Sequence, residues 1–181
     1  MEHFYQNIQG WFTFPKLYAA MVQQFGDATF VEVGTWLGRS AAYMATEIAN
    51  SKKNIKFFCI DTWEGSEEHK KNDMIKDRDL YAEFLCNTKL VQNYIIPYRI
   101  MSHKAAQLFA DDSLDFVFID ASHDYKNVMI DLNSWYPKVK KGGVFAGHDY
   151  PGWLGVKKAV DEFFYNKHQI NSQEACWVIN K

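Results

Sequence analysis

The chain has 181 residues, 48% hydrophobic and 23% charged, with a net charge of −2. That length fits one domain, residues 1–181, able to bury a sizeable core, and the composition excludes a disordered chain. The near-neutral charge excludes a broadly basic binder of nucleic acid or anionic membrane, and no apolar run approaches the ~20 residues of a membrane span.

The three cysteines, Cys59, Cys86 and Cys176, are odd in number and widely spaced. They read as reduced, buried thiols rather than disulfides or zinc ligands. The start of the chain lacks a basic stretch followed by an apolar one, so no secretory leader is expected and the expected location is cytoplasmic. Aromatic residues reach 17%, which suits a core with indoles to spare for a stacking wall.

In chain order, 1–14 is aromatic and irregular. With the helix that follows, begun by Pro15 and ended by Gly26, it makes an N-terminal segment 1–26 ahead of the sheet. Residues 29–33 are β-branched and aromatic around Glu32, and read as a strand. Gly34 and Gly38 bracket a turn, and helix follows to about Asn50. Residues 55–60 are an apolar run suited to a buried parallel strand, ending at Asp61. The polar stretch 62–76 reads as a long loop or lid. A helical period over 77–91 follows, then a strand over 94–101 at an edge because of Pro97. A short helix over 102–109 is expected to be capped by Ser102.

Residues 114–120 are the second clear buried strand, again ending in an acid, Asp120. Residues 124–135 are helical, 141–143 a turn, and 144–146 a strand leading to Gly147-His148-Asp149. A helix over 156–167 precedes a final strand over 177–179, paired in a hairpin with 169–170. Alternating strands and helices predict an α/β fold: an open, mostly parallel sheet, helices on both faces and an antiparallel last strand.

In such sheets ligands bind beyond the carboxyl ends of the strands. Four strands here end in polar groups: Glu32 to Ser40, Asp61, Asp120 to His123, and His148–Asp149. The first turn offers backbone N–H groups at a helix start, which suit an anion. Its G-x-x-x-G spacing is neither the dinucleotide fingerprint nor a P-loop. Asp61 is placed to accept both ribose hydroxyls of a nucleoside, and Trp63 either stacks on its base or packs in the core. Asp120, His148 and Asp149 combine carboxylates with an imidazole, a set able to hold a divalent cation. His123 could take a proton from a hydroxyl. The bland readings are an ordinary turn, solvated loop acids and hydrogen-bonding histidines.

The segments VEVGTWLGRS, FFCIDTWEGS, SLDFVFIDASHDY and KKGGVFAGHDY, in this order, resemble class I S-adenosylmethionine (SAM)-dependent methyltransferases. Within them the chain is most similar to the branch of macrocin and aminocoumarin sugar O-methyltransferases, related to catechol O-methyltransferase. The resemblance implies a Rossmann-like fold with a seven-stranded sheet, and methyl transfer from SAM to a hydroxylated small molecule such as a sugar. It implies a SAM site at Glu32, Gly34, Thr35, Gly38, Ser40, Asp61, Thr62, Trp63, Ser102, His103 and Asp120. It also implies a divalent metal, Mg²⁺ or Mn²⁺, on Asp120, His148 and Asp149, with His123, Asp120 and His148 in catalytic positions. His148 departs from the acid or amide usual at its position, and His123 stands where the catechol enzymes carry a lysine. A lid would come from 1–14, from 62–76 or from a second copy in a homo-oligomer. The alternative is a nucleotide or nucleotide-sugar binding module without methyl transfer. The Asn/Asp-Pro-Pro-aromatic motif of amino-methylating enzymes is absent.

Overall fold

The computed structural model describes residues 1–66, 75–165 and 171–181. Within them seven strands form one sheet: β1 (Ala28–Val33), β2 (Ile55–Asp61), β3 (Ile96–Arg99), β4 (Leu114–Ile119), β5 (Val139–Gly147), β6 (Asn171–Gln173) and β7 (Cys176–Asn180). Their order is β3-β2-β1-β4-β5-β7-β6. Strands β1 to β5 pair in parallel, and β7 runs antiparallel to both β5 and β6.

Among the described residues six α-helices cover the sheet: α1 (Pro15–Gln24), α2 (Arg39–Ser51), α3 (Leu80–Asn87), α4 (Ser102–Ala106), α5 (Tyr125–Trp135) and α6 (Leu154–Phe164). The period of two along each strand decides which residues meet which helices. Phe30, Phe57, Phe116 and Phe118 point to one core, packed by Leu17 and Tyr18 of α1, Ala41 and Met44 of α2, and Phe84 of α3. Val31, Ile60, Val117 and Phe145 point to the other, packed by Ala105 of α4, Leu132 and Trp135 of α5, and Val160 and Phe164 of α6. Both faces are therefore covered, which is why the strands read as near-continuous apolar runs.

Several local expectations shift. The helical period over 77–91 divides into α3, capped by the Asp79 carboxylate accepting from Ala82 N–H, and a 3₁₀ helix, Lys89–Tyr94. The edge strand signalled by Pro97 is β3, shorter than expected. The glycines expected in a turn at 141–143 lie inside β5, where the register with β4 slips between Leu114 and Phe116. Ser102 is the first residue of α4 and makes no cap bond. The expected 62–76 lid and the 169–170 hairpin arm fall largely or wholly outside the described residues. Among those residues no helix is long and apolar enough to cross a membrane.

Candidate active site

Three ladder bonds continue past the strand ends. Gly34 N–H donates to Ile60 O, Asp120 N–H to Val33 O, and His148 N–H to Ile119 O. They set the ends of β2, β1, β4 and β5 side by side. The cleft above them has a volume of about 430 Å³. Gly34, Thr35, Ser40, Asp120, His123, His148 and Asp149 line it. Sequence reasoning missed several other lining residues, among them Thr13, Trp36, Arg39 and Trp153. Trp36 and Arg39 fall within the Glu32 to Ser40 stretch singled out as a whole, Trp153 is an indole in the loop after His148–Asp149, and Thr13 carried no local signal.

Glu32, in β1 and outside the cleft lining, is 1% exposed and accepts from Tyr18 of α1 at 2.8 Å. Burial pushes its carboxyl up to about 7, against the pull of the Ser40, Tyr18 and Thr35 hydroxyls. Its Oε2 and the Thr35 hydroxyl, both buried, lack a well-formed hydrogen bond. Such orphaned polar atoms, at the end of β1 and in the turn after it, fit a polar ligand group held over the turn.

Asp61 ends β2 with both oxygens aimed at backbone. Oδ2 accepts from Trp36 N–H and Oδ1 from Trp63 N–H, each at 2.8 Å. Burial raises its carboxyl, while backbone N–H groups of Trp63, Trp36, Thr62 and Thr35 pull it back. A carboxylate has about four acceptor sites, so it can still take hydroxyl donors.

Other expected cofactor residues are placed differently. Trp63 is 3% exposed and packs against Tyr81 and Phe84, a core position. Its indole N–H donates to Trp36 O at 2.8 Å, and it does not line the cleft. Ser102 donates to the buried Asp131 carboxylate and accepts from Trp135 Nε1, so its hydroxyl belongs to the α4–α5 contact. His103 is exposed, and Thr62 accepts from Glu64 N–H. A Cβ on Gly38 would lie 2.7 Å from Thr88 Cγ2 and 2.9 Å from Phe84, so packing there requires glycine irrespective of any ligand.

The acid and imidazole groups do converge. Asp120, His148 and Asp149 offer ligand atoms within 4.8 Å of one another. His148 Nδ1 lies 3.2 Å from Asp149 Oδ1 and 3.7 Å from Asp120 Oδ1, and His123 Nε2 lies 2.8 Å from Asp149 Oδ2. The His123 ring stacks on Trp153, centroids 4.1 Å apart. Burial raises the Asp120 carboxyl to about 7, eased by His148 and reinforced by Asp149. Burial works to raise Asp149 as well, but hydrogen bonds and charge from His123 and His148 hold it well below the usual carboxylate range. His148 is raised, because the bond to Asp149 and the two carboxylate charges outweigh its burial.

A parallel sheet of this order, with an antiparallel strand beside β5 and a glycine turn after β1, defines the class I SAM-dependent methyltransferase fold. A methyltransferase-domain family matches residues 31–150, and the chain belongs to that family. Among solved structures, the O-methyltransferase NovP is 17% identical with a TM-score of 0.71; the match covers 92% of this chain and 78% of that one. The TDP-rhamnose 3′-O-methyltransferase CalS11 is 12% identical with a TM-score of 0.62, over 92% of this chain and 76% of that one. At such identities the likeness establishes the fold. Two uncharacterized relatives are similar in sequence. R132 of Acanthamoeba polyphaga mimivirus is 31% identical over 128 residues, 68% of this chain and 52% of that protein. For y4gI of Sinorhizobium fredii the values are 24% over 147 residues, 81% of this chain and 16% of that protein. The chain thus spans about half of one relative and a small part of the other.

Proposed function

We propose that residues 1–181 act as one catalytic domain that moves the methyl group of SAM to a hydroxyl of a small molecule, a sugar or similar polyol, with help from a divalent ion. The observation that carries this reading is the meeting, around one cleft, of the β1–α2 turn with Asp120, His123, His148 and Asp149. CalS11, whose stated substrate class is a nucleotide sugar, supports the choice of acceptor through its fold. Three unpaired cysteines, with Cys86 exposed rather than buried, fit a reducing cytoplasm.

On this reading Glu32, Gly34, Thr35 and Ser40 bind the methionine end of SAM, and Asp61 the ribose. Asp120, His148 and Asp149 hold the ion, which, when bound, lowers the pKa of an acceptor hydroxyl and orients its oxygen. His123 takes the hydroxyl proton. With Nε2 bonded to Asp149, a proton received at Nδ1 leaves an imidazolium stabilised by that carboxylate. The Trp153 stack holds the ring in plane and keeps water from one of its faces.

Calorimetry with SAM and S-adenosylhomocysteine (SAH) tests the reading. Both should bind, and Asp61→Ala should weaken SAH at least about 10-fold, the scale of one lost charge-assisted hydrogen bond. Absence of binding by the wild-type protein would sink it.

A further inference from the structure

The segment from Gly10 to Phe14 is fixed at three points beside the acid–imidazole cluster. Arg39 Nη1 donates to Gly10 O at 2.7 Å. Phe14, fully buried, packs on Phe118 and lies 4.9 Å from the His148 ring. Between them, Thr13 Oγ1 sits 2.9 Å from His148 Nε2 and 3.3 Å from the Glu174 carbonyl oxygen.

A threonine hydroxyl has one hydrogen, and a carbonyl oxygen can only accept. With that hydrogen directed to Glu174, Thr13 Oγ1 is left as an acceptor, and His148 must donate from Nε2. The opposite ring nitrogen, Nδ1, then faces the carboxylates of Asp149 and Asp120; without a metal it donates to Asp149, and a bound ion takes the place of that hydrogen while the one on Nε2 stays with Thr13. Asp149 is oriented in the same manner, its Oδ2 bonded to His123 Nε2 while Oδ1 turns toward His148.

We infer that Thr13 is a positioning residue that fixes His148 with its hydrogen on Nε2 and Nδ1 as metal ligand, and that the site takes Mn²⁺, or a similar imidazole-accepting ion, in preference to Mg²⁺. The inference rests on the metal-assisted reading above. Two carboxylates and an imidazole nitrogen suit Mn²⁺, Fe²⁺ or Zn²⁺; Mg²⁺ favours oxygen ligands and retains several waters. The hydrogen bond on the far side of a ligating imidazole sets which nitrogen is offered and how the ring is turned.

Mn²⁺ and Mg²⁺ are titrated separately, without cosubstrate, into wild type, Thr13→Val and Thr13→Ser, each first shown to melt cooperatively. Long-range ¹⁵N spectra of metal-free wild type report which His148 nitrogen carries hydrogen. Expected are Mn²⁺ affinity at least about 10-fold above Mg²⁺, a loss of roughly 10- to 100-fold in Thr13→Val, and recovery in Thr13→Ser. The spectrum should place hydrogen on Nε2. A bare Nε2, a Thr13→Val variant that binds Mn²⁺ like wild type, or equal affinity for the two ions overturns the inference while leaving metal assistance standing. Failure of wild type to bind either ion overturns both.

Discussion

Gly34 is confined from two directions. Its φ is +89°, and a Cβ would sit 2.0 Å from the Asp120 carbonyl oxygen. The glycine that opens the β1–α2 turn therefore lets the end of β4 close against β1. Gly34→Ala should lose roughly 3 kcal/mol in urea melts, combining backbone strain with overpacking, and lose SAH binding with it. An alanine variant of wild-type stability would contradict this account. On the proposed reading His123 belongs to the chemistry instead. His123→Ala should lower kcat about 100-fold with an accepted substrate, while SAH affinity stays within about 2-fold. A large fall in SAH affinity with little change in kcat would move His123 into the cofactor site. These residues were legible in the sequence because strand-end position is a local property. Thr13 was not, since its partners His148 and Glu174 lie more than 130 residues away.

Among the elements, the contact between α4 and α5 decides what Ser102 does. Its hydroxyl links the buried Asp131 carboxylate to the indole N–H of Trp135, which has no solvent exposure. Ser102→Ala should cost about 1–3 kcal/mol, because both partners lose a hydrogen bond away from water. Were Ser102 instead to touch adenine, the substitution would weaken SAH at unchanged stability, so paired melts and calorimetry separate the roles. Sequence pattern placed the start of α4, which ends at Ala106 rather than at the expected 109, but gave its first serine a capping role. A serine before a helical run suits either assignment, and the choice depends on α5 packing against it. Trp63 is a parallel case. Both its readings were open from the sequence, and burial against Tyr81 and Phe84 makes it part of the core.

At the scale of the whole molecule, buried acids set an unusual pH dependence. Burial pushes Glu32 up to about 7 and Asp131 to about 6, from ordinary values of 4.5 and 3.8. Between each ordinary value and the raised one, the native state keeps a proton that the unfolded chain has released, so stability falls as pH rises through that window. His148, also raised, acts in the same sense: its contribution is full below 6.5 and is lost as pH rises through its folded value. Asp149 acts oppositely, its contribution present above 3.8 and lost as pH falls through its depressed value. Asp120 is weighted less, because 22% of its side chain opens to the cleft. The metal-free protein should therefore melt at lower temperature at pH 7.5 than at pH 5, and Glu32→Gln should make the slope shallower. A melting temperature that rises over that range, or a slope unchanged in Glu32→Gln, would show that Glu32 is ionised throughout.

By itself the sequence determined the alternation of strands and helices, the burial of both sheet faces and the row of polar groups at strand ends. Each of these follows from short-range periodicity and from the change to polar residues where a strand leaves the core. Tertiary structure alone decided which groups meet. It brought Thr13 to His148, put Trp153 against His123, filled the space beside Gly38 with Phe84 and Thr88, and turned Ser102 toward Asp131. Those contacts join segments distant along the chain, and no local pattern encodes a partner that only folding brings near.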